Sequence, residues 1–395
     1  MPDITIRQVP VAEMLPISRK LSGYAFRPTP PLPDEKVWQE DLEYFEAAHF
    51  VLFEDGEPLA CAAVSPMTQH VRGTIYQAGG LWGVATHPAA RRKGYITRIL
   101  ARLHAYLHDE GMALATLYAF RESFYDRLGY TIFPQSKTAS FSPASLLPLL
   151  KKEPGGEVEL LEVAQGFASY LAFLQRQQRR IHGMGLFGEK SAMRIRNKNS
   201  FWLALARVNG EIKGVMLYKI EEVGDSWQMQ VPRFYYDDSQ GKYLLLAWFA
   251  RHIDQVKEIK LRVRPDEYPE TWLPDMNVAI SSLEPPLGRV IAVPKVAGLH
   301  CGPGRFSARI SDPFCPWNDG SYLFESTDGV LHVEQQEKSV PVDCDLDIHA
   351  LSTLIYGTHE PDSFALRDWG NPSLKVQETM RSMFPPLLPY LHERF

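Results

Sequence analysis

The clearest hydrophobic period in the chain lies between residues 95 and 108 and is that of a helix. Apolar residues recur there at spacings of three and four: Ile96, Ile99, Leu100, Leu103 and Leu107. The polar residues Arg98, Arg102, His108 and Asp109 fall elsewhere, as expected for a helix with one buried face. Apolar runs at 80–86 and 112–118 flank this segment and are typical of buried strands. The pattern therefore predicts a strand–helix–strand unit.

A second, weaker copy of this pattern is predicted further along the chain. In each copy a turn pair, Asp55-Gly56 or Asn209-Gly210, separates two apolar runs, which is a strong hairpin signal. Placing Gly241 on Gly94 gives an offset of 147 residues, 241 minus 94. The same offset aligns the strands that follow, so we interpret the two stretches as an internal duplication. Chance agreement between two strand–helix–strand units is the alternative.

The predicted domains are 1–150, 151–285 and 286–395. A Pro- and Gly-rich break at 284–288 starts the third block, where short strand-like runs alternate with turn signals and two helical segments follow. The first two blocks read as α/β and the third as α+β.

Charge and composition exclude several functional classes. The 42 Lys and Arg residues and 47 Asp and Glu residues give a net charge of −5, which argues against nucleic acid as the main partner. The four cysteines are scattered and the twelve histidines show no ligand spacing, so we expect no metal and no disulfide scaffold. There is no apolar run of about 18 residues and no secretory pattern at the N-terminus. We expect a cytoplasmic protein without a membrane partner.

The segment Arg91-Arg92-Lys93-Gly94 lies where the predicted strand ends and the long helix begins. The first turn of a helix has unpaired N–H groups and a partial positive charge, so it can bind a phosphate group. Three basic side chains would add to this attraction. The sequence lacks the Gly-Lys-[Ser/Thr] of a Walker loop and also lacks G-x-G-x-x-G. A solvated charge cluster beside an ordinary loop glycine is the alternative.

Two motifs resemble those of the GCN5-related N-acetyltransferases, the GNAT superfamily. Arg91-x-x-Gly94 after the strand resembles the family's coenzyme A turn, [Arg/Gln]-x-x-Gly-x-[Gly/Ala], from which Ile96 departs. A Tyr that precedes a Gly-[Phe/Tyr] pair is the second landmark, here Tyr125 before Gly129-Tyr130. The resemblance implies acetyl-CoA as cosubstrate, and it implies the cofactor-binding residues Val84, Ala85, Thr86, Arg91, Arg92, Lys93, Gly94, Tyr95 and Ile96.

The tandem copy and the third block resemble the enhanced intracellular survival (Eis) family within that superfamily. This resemblance implies two GNAT domains with mixed sheets flanked by helices, the second degenerate, and a sterol-carrier-protein-like α+β domain. It also implies a homo-oligomer, a hexamer. The apolar end of the chain, from Phe384 to Phe395, agrees with it.

The resemblance assigns catalytic roles to Tyr125 and Phe395. A phenol with an ordinary pKa near 10 keeps its proton at neutral pH, so Tyr125 is expected to protonate the leaving thiolate. The α-carboxylate of Phe395 is expected to act as the base. The alternatives are a tyrosine that is merely packed and a chain end that merely packs on the core. Family position further implies four substrate-pocket residues: Tyr24, Trp38, Trp82 and Glu393.

We therefore expect an N-acetyltransferase that acetylates primary amines of cationic substrates, namely aminoglycosides, polyamines or lysine side chains. Tyr118 and Phe120 stand where better-known family members carry His and Ser, so multi-site aminoglycoside acetylation is not implied. Two other functions stay open. One is lipid binding by the third domain, and the other is regulation of a partner by a protein that senses acetyl-CoA.

Overall fold

The computed structural model describes residues 2–27, 29–32, 34–152 and 155–395. Its α-helices are α1 Val11–Phe26, α2 Glu35–Tyr44, α3 Tyr95–Asp109, α4 Glu122–Asp126, α5 Val163–Gln178, α6 Glu189–Lys198, α7 Ser239–Ala250, α8 Ile348–Tyr356 and α9 Leu374–Met383. Its strands are β1 Ile4–Val9, β2 Ala48–Glu54, β3 Glu57–Val71, β4 Thr74–Thr86, β5 Leu114–Tyr118, β6 Thr131–Ile132, β7 Lys137–Phe141, β8 Glu157–Glu162, β9 Gly185–Phe187, β10 Trp202–Val208, β11 Glu211–Val223, β12 Ser226–Tyr236, β13 Glu258–Val263, β14 Ala279–Ser282, β15 Pro286–Val290, β16 Arg305–Ser311, β17 Gly320–Thr327, β18 Val330–Gln336 and β19 Cys344–Asp347.

The predicted strand–helix–strand unit forms the centre of the first sheet. This sheet has the order β1-β2-β3-β4-β5-β15-β6, and β9 pairs with β3. The strands β4 and β5 are parallel because the helix α3 connects them, and the hairpin partners around them are antiparallel. The apolar stripe of α3 is fully buried against the sheet, with Ile99, Leu100, Leu103 and Leu107 at 0% exposure. The predicted helix thus forms part of the hydrophobic core that supports β4 and β5.

The second sheet repeats this arrangement, with the order β14-β7-β13-β12-β11-β10-β8. Its parallel pair is β12 and β13, which α7 connects. The helix α7 begins 144 residues after α3 (239 minus 95), and β13 begins 144 residues after β5 (258 minus 114). The elements are therefore offset by three residues fewer than the sequence alignment predicts.

The chain divides into two compact units whose segments are not contiguous in sequence. One unit contains residues up to 133 together with 181–191 and 286–395, and the other contains 134–180 and 192–285. The strand β7 hydrogen-bonds in the second sheet, and β15 hydrogen-bonds to β5 in the first. The predicted boundaries after residues 150 and 285 instead divide the chain sequentially. Each of these two strands thus covers an edge of a sheet that would otherwise lack a partner. Local sequence patterns do not encode which sheet a strand joins.

The third predicted block folds as α+β. Its sheet has the order β18-β17-β16-β19, and the rings of Phe306 and Phe324 stack 5.0 Å apart in its core. After α9 the chain continues without regular secondary structure to Phe395, yet Tyr390 and Leu391 are buried. The backbone N–H of Tyr390 donates to the carbonyl of His182 over 2.9 Å. The end of the chain is therefore held in place within its unit.

Candidate active site

The strands β4 and β5 separate at the site. Their pairing runs from Ala78–Leu114 to Leu81–Leu117, and β4 then continues to Thr86. On the other side of β4, Trp82 pairs with Ala63 and Ala85 with Cys61, so two residues of β4 face one residue of β3. Such a β-bulge re-aims the backbone of its strand. The end of β4, residues 82–86, can therefore pair with an extended ligand that lies between the two strands.

The helix α3 begins beside this opening. Gly94 is its N-cap residue and has a φ of 77°, in the left-handed region that glycine adopts without strain. No described side chain caps the helix, so its first N–H groups remain available to an anion. Arg91 and Arg92 are exposed next to this end. The Arg91 guanidinium lies 5.9 Å from the ring centroid of Tyr24. The arrangement suits a phosphate group.

Lys93 differs from its two basic neighbours because its charge is already paired. Its Nζ lies 3.0 Å from a carboxylate oxygen of Glu54. Hydrogen bonds from Lys93 and Tyr95 hold the pKa of Glu54 below its ordinary value. Arg91 and Arg92 form no ion pair with any residue in the described ranges. Of the predicted basic cluster, these two arginines are the cations best placed to bind phosphate.

A cavity of about 310 Å³ lies in the same unit, and nineteen residues line it. Five of the predicted site residues are among them: Trp38, Trp82, Val84, Tyr125 and Phe395. The predicted residues from Ala85 to Ile96 lie outside this lining, along the end of β4 and the start of α3. Tyr24, half exposed on α1, and Glu393 also lie outside it. The structure thus places the two predicted catalytic residues on one cavity.

Tyr125 lies in the short helix α4, and 2% of its surface is exposed. Its ring packs against Phe124, with the centroids 5.0 Å apart, and against Phe120 and Tyr130 at 6.2 and 5.9 Å. Burial among these rings raises the pKa of the Tyr125 phenol above its ordinary value of 10. The hydroxyl therefore keeps its proton at neutral pH and can donate it.

The ring of Phe395 packs between two aromatic rings, those of Phe187 at 5.1 Å and Tyr118 at 6.0 Å. The Tyr118 hydroxyl donates to the carbonyl of Leu391 over 3.3 Å and so ties the terminal segment to β5. A Cβ at Gly80 would lie 3.1 Å from the Phe395 ring, so the ring approaches β4 closely enough that it would have to shift slightly to admit a side chain there. These contacts fix the last residue beside the cavity.

His49 is a lining residue that sequence reasoning does not identify. It is 1% exposed at the beginning of β2, and burial lowers its pKa to about 4. Its ring lies edge-on to Trp82, with the centroids 5.8 Å apart. Within the described ranges neither ring nitrogen has a hydrogen-bond partner. A histidine next to an apolar run gives no sequence signal of such a position, whereas Gly83, inside a predicted strand, is a recognisable bulge signal.

Two kinds of feature are absent from the described residues. No group of three or more His, Cys, Asp or Glu side chains among them is arranged to hold a metal ion. None of the helices that they form has the length and apolarity needed to cross a membrane.

Two family models match the chain. Residues 6–133 match an acetyltransferase (GNAT) domain, and residues 300–392 match a sterol carrier protein domain. A search of curated protein sequences finds no match.

Several solved structures share the fold over the full length of the chain. A GCN5-related N-acetyltransferase from Anabaena variabilis has a TM-score of 0.84 at 14% identity, covering all of both chains. A probable N-acyltransferase from Enterococcus faecalis has a TM-score of 0.84 at 16% identity, and Eis1 from Mycobacterium abscessus has 0.77 at 17%, each again covering all of both chains. The fold therefore comprises tandem GNAT-like domains and a C-terminal sterol-carrier-like domain. The chain thus contains a GNAT acetyltransferase domain at residues 6–133.

Proposed function

We propose that this protein transfers an acetyl group from acetyl-CoA to the primary amine of a cationic substrate, and that it is Eis-like. The observation that carries the proposal is the single cavity lined by Tyr125, Phe395 and Val84 of the bulged strand. The match of the whole fold to Eis1 supports the family assignment. Assembly as a hexamer stays a prediction, which the molar mass from light scattering tests.

GNAT domains use acetyl-CoA, which supplies the acetyl group as a thioester. The residues of this chain fit it in two places. Arg91, Arg92 and the uncapped start of α3 offer positive charge and N–H groups to the diphosphate. The backbone of residues 84–86 offers hydrogen bonds to an extended amide chain, because β4 continues beyond its pairing with β5. Of the other predicted cofactor residues, Lys93 and Tyr95 are joined to Glu54.

In the proposed mechanism Phe395 and Tyr125 move protons in opposite directions. An amine with an ordinary pKa near 10 arrives protonated, and the Phe395 carboxylate, directly or through water, takes one proton that passes to solvent. The neutral nitrogen then forms a bond to the acetyl carbon while the carbon–sulfur bond breaks. Tyr125 gives its proton to the departing sulfur and regains one from the acylated nitrogen. The products are the acetamide, free CoA and one proton released to solvent.

The proposal is tested by turnover with a panel of primary amines. The panel contains an aminoglycoside, spermidine, a lysine peptide and small monoamines, and CoA release and acetylated product are measured together. We expect amine-dependent CoA release matched by product. Protein that binds acetyl-CoA but acetylates none of these amines would contradict the proposal and favour the acetyl-CoA sensor.

Lipid binding is the second candidate, because residues 300–392 match a sterol carrier protein domain. Titration with a fluorescent sterol tests it. Saturable binding that leaves acetyl transfer unchanged would add a lipid function to the enzyme, and lack of binding would remove this candidate.

A further inference from the structure

The lining of the cavity is mainly aromatic. Eight of its nineteen residues are Phe, Tyr or Trp, and six more are aliphatic residues, Met or Gly. Asp41 is the one acidic side chain among the described lining residues, and Arg27 is the one lysine or arginine there. The Arg27 guanidinium lies 5.9 Å from the ring centroid of Trp38. The charges of Asp41 and Arg27 balance, so the Phe395 carboxylate is the one excess negative charge of the lining that the structure describes, which matches a single ammonium group rather than several.

Most polar side chains of this lining already have partners. The Trp38 Nε1–H donates to Ser18 Oγ over 2.5 Å, and the Trp82 Nε1–H donates to Ser65 Oγ over 2.9 Å. The hydroxyl of Ser22 lies 3.7 Å from the sulfur of Cys61. These groups already form hydrogen bonds within the protein, so a hydrogen bond to a ligand would add little binding free energy.

His49 differs from these groups. Its imidazole is buried on the cavity, and neither nitrogen has a partner in the described part of the chain. Two unpaired polar atoms in a buried side chain are costly, and a bound ligand that supplies a partner would remove part of that cost. Because burial keeps the ring neutral, it has one N–H donor and one acceptor. A hydroxyl group on a ligand can bind to either.

Resting on the proposed function, we propose that the acceptor is a small aromatic monoamine whose body carries one hydrogen-bonding group, and that His49 binds this group. The amine end then lies near Tyr125 and Phe395, while the ring packs among Phe45, Trp82 and Phe395, which share one cavity. A polyamine would place further charges against an apolar wall, which costs desolvation energy. The proposal narrows the predicted cationic substrates to amines that carry a single positive charge.

Comparison of three probe amines tests this substrate class. Tyramine and 2-phenylethylamine differ by one hydroxyl, and spermidine represents the polycations. We expect kcat/KM for tyramine to be at least about tenfold higher than kcat/KM for spermidine. We also expect it to be about tenfold higher than kcat/KM for 2-phenylethylamine, because a buried polar group that loses its partner weakens binding by such a factor. Spermidine that matches or exceeds tyramine would overturn the proposal.

Substitution of His49 tests its assigned role. In His49→Leu we expect the ratio of kcat/KM between tyramine and 2-phenylethylamine to fall to about one, and in His49→Gln we expect part of the preference to return. His70→Leu is the matched control, because His70 is also buried but lies outside the cavity lining. An unchanged ratio in His49→Leu would show that His49 does not bind the substrate.

Binding measurements separate a failure of this inference from a failure of the proposed function. Calorimetry measures binding of tyramine to the full-length protein saturated with CoA. Tight binding without turnover would contradict the proposed reaction while supporting the pocket. Turnover of spermidine without binding of tyramine would support the reaction and overturn the aromatic acceptor.

Discussion

The helices of the two strand–helix–strand units begin in opposite ways. The helix α3 begins at Gly94 without a side-chain cap, next to the exposed Arg91 and Arg92. The helix α7 begins at Asp238, whose carboxylate accepts a hydrogen bond from the N–H of Gly241 over 2.9 Å. A Cβ on Gly241 would lie 2.2 Å from the carbonyl oxygen of Lys213, so backbone already occupies the space there. One helix end is open to an external anion, and the other is satisfied internally.

The strand ends differ in the same way. The strand β12 also continues beyond its pairing with β13, which ends at Val231–Leu261. Side chains from residues 264–272 cover this extension: Trp272 stacks on Phe234 at 6.0 Å, and Glu267 accepts a hydrogen bond from Tyr236. Lys242 lies 3.0 Å from Glu267 and completes the cluster.

In one copy of the fold the helix end and the strand opening are left open, and in the other the protein's own side chains occupy them. Fold alone therefore does not locate the proposed acetyl-CoA site, and the uncapped helix and the cavity are the observations that support its place in the first unit.

The largest effect is expected from Tyr125→Phe in the first unit. Loss of the proton donor should lower kcat about 10²- to 10⁴-fold without changing the affinity for CoA, because the ring and its packing remain. Steady-state kinetics with calorimetry measures both quantities. Tyr268→Phe, at an exposed tyrosine in the second unit, is the control and should leave both unchanged. An unchanged rate in Tyr125→Phe would remove Tyr125 from the mechanism.

In the second unit, Lys242→Met should act on stability. It removes the nearer of the two cations beside the buried carboxylate of Glu267 and leaves the Arg264 guanidinium 3.6 Å away, which should cost about 2 kcal/mol of unfolding free energy. Urea unfolding followed by tryptophan fluorescence measures the change. The double variant Lys242→Met with Glu267→Gln should regain most of the loss. If the single variant were as stable as the unmodified protein, the cluster would not hold the second copy together.

The paired substitutions Arg91→Ala and Arg92→Ala test the open helix end. We expect the Kd for CoA to rise about tenfold, because two charge-assisted contacts to phosphate are lost from an exposed site. The difference should shrink with added salt. Arg98→Ala with Arg102→Ala removes the same charge from the exposed face of α3 and is the matched control. Equal effects of the two pairs would indicate general electrostatic attraction rather than a phosphate site.

The smallest effect is expected from Asp238→Ala, which removes the cap of α7. Loss of an N-cap side chain should lower the unfolding free energy by about 1 kcal/mol and leave the Kd for CoA unchanged. A measurable change in CoA affinity would mean that the second copy takes part in binding the cosubstrate.

The sequence predicts local features of this protein well. The hydrophobic period of α3 and the turn signals of both hairpins suffice to predict these elements, because such patterns depend on residues close together in the chain. The uncapped start of α3 likewise follows from Gly94. In contrast, the exchange of β7 and β15 between the sheets depends on pairing across more than 100 residues, as in the pairing of Lys137 with Val263. No local pattern carries that information.

The site shows the same division. Tyr125, Phe395, Trp38 and Trp82 line one cavity, and family resemblance rather than residue spacing predicts them as site residues. The burial of His49 without a hydrogen-bond partner depends on neighbours from distant segments. The pairing of Lys93 with Glu54, which leaves the two arginines as the proposed phosphate ligands, joins residues 39 positions apart.

Addition of one glycine after Phe395 tests the central claim most directly. The extension converts the Phe395 carboxylate into an amide and moves the charge by about 3.6 Å, while the ring can keep its contacts with Phe187 and Tyr118. Intact mass spectrometry identifies the last residue of each protein, and kcat is measured with saturating acetyl-CoA and amine. We expect a loss of at least about 100-fold in kcat with unchanged CoA affinity. Full activity of the extended protein would contradict this expectation.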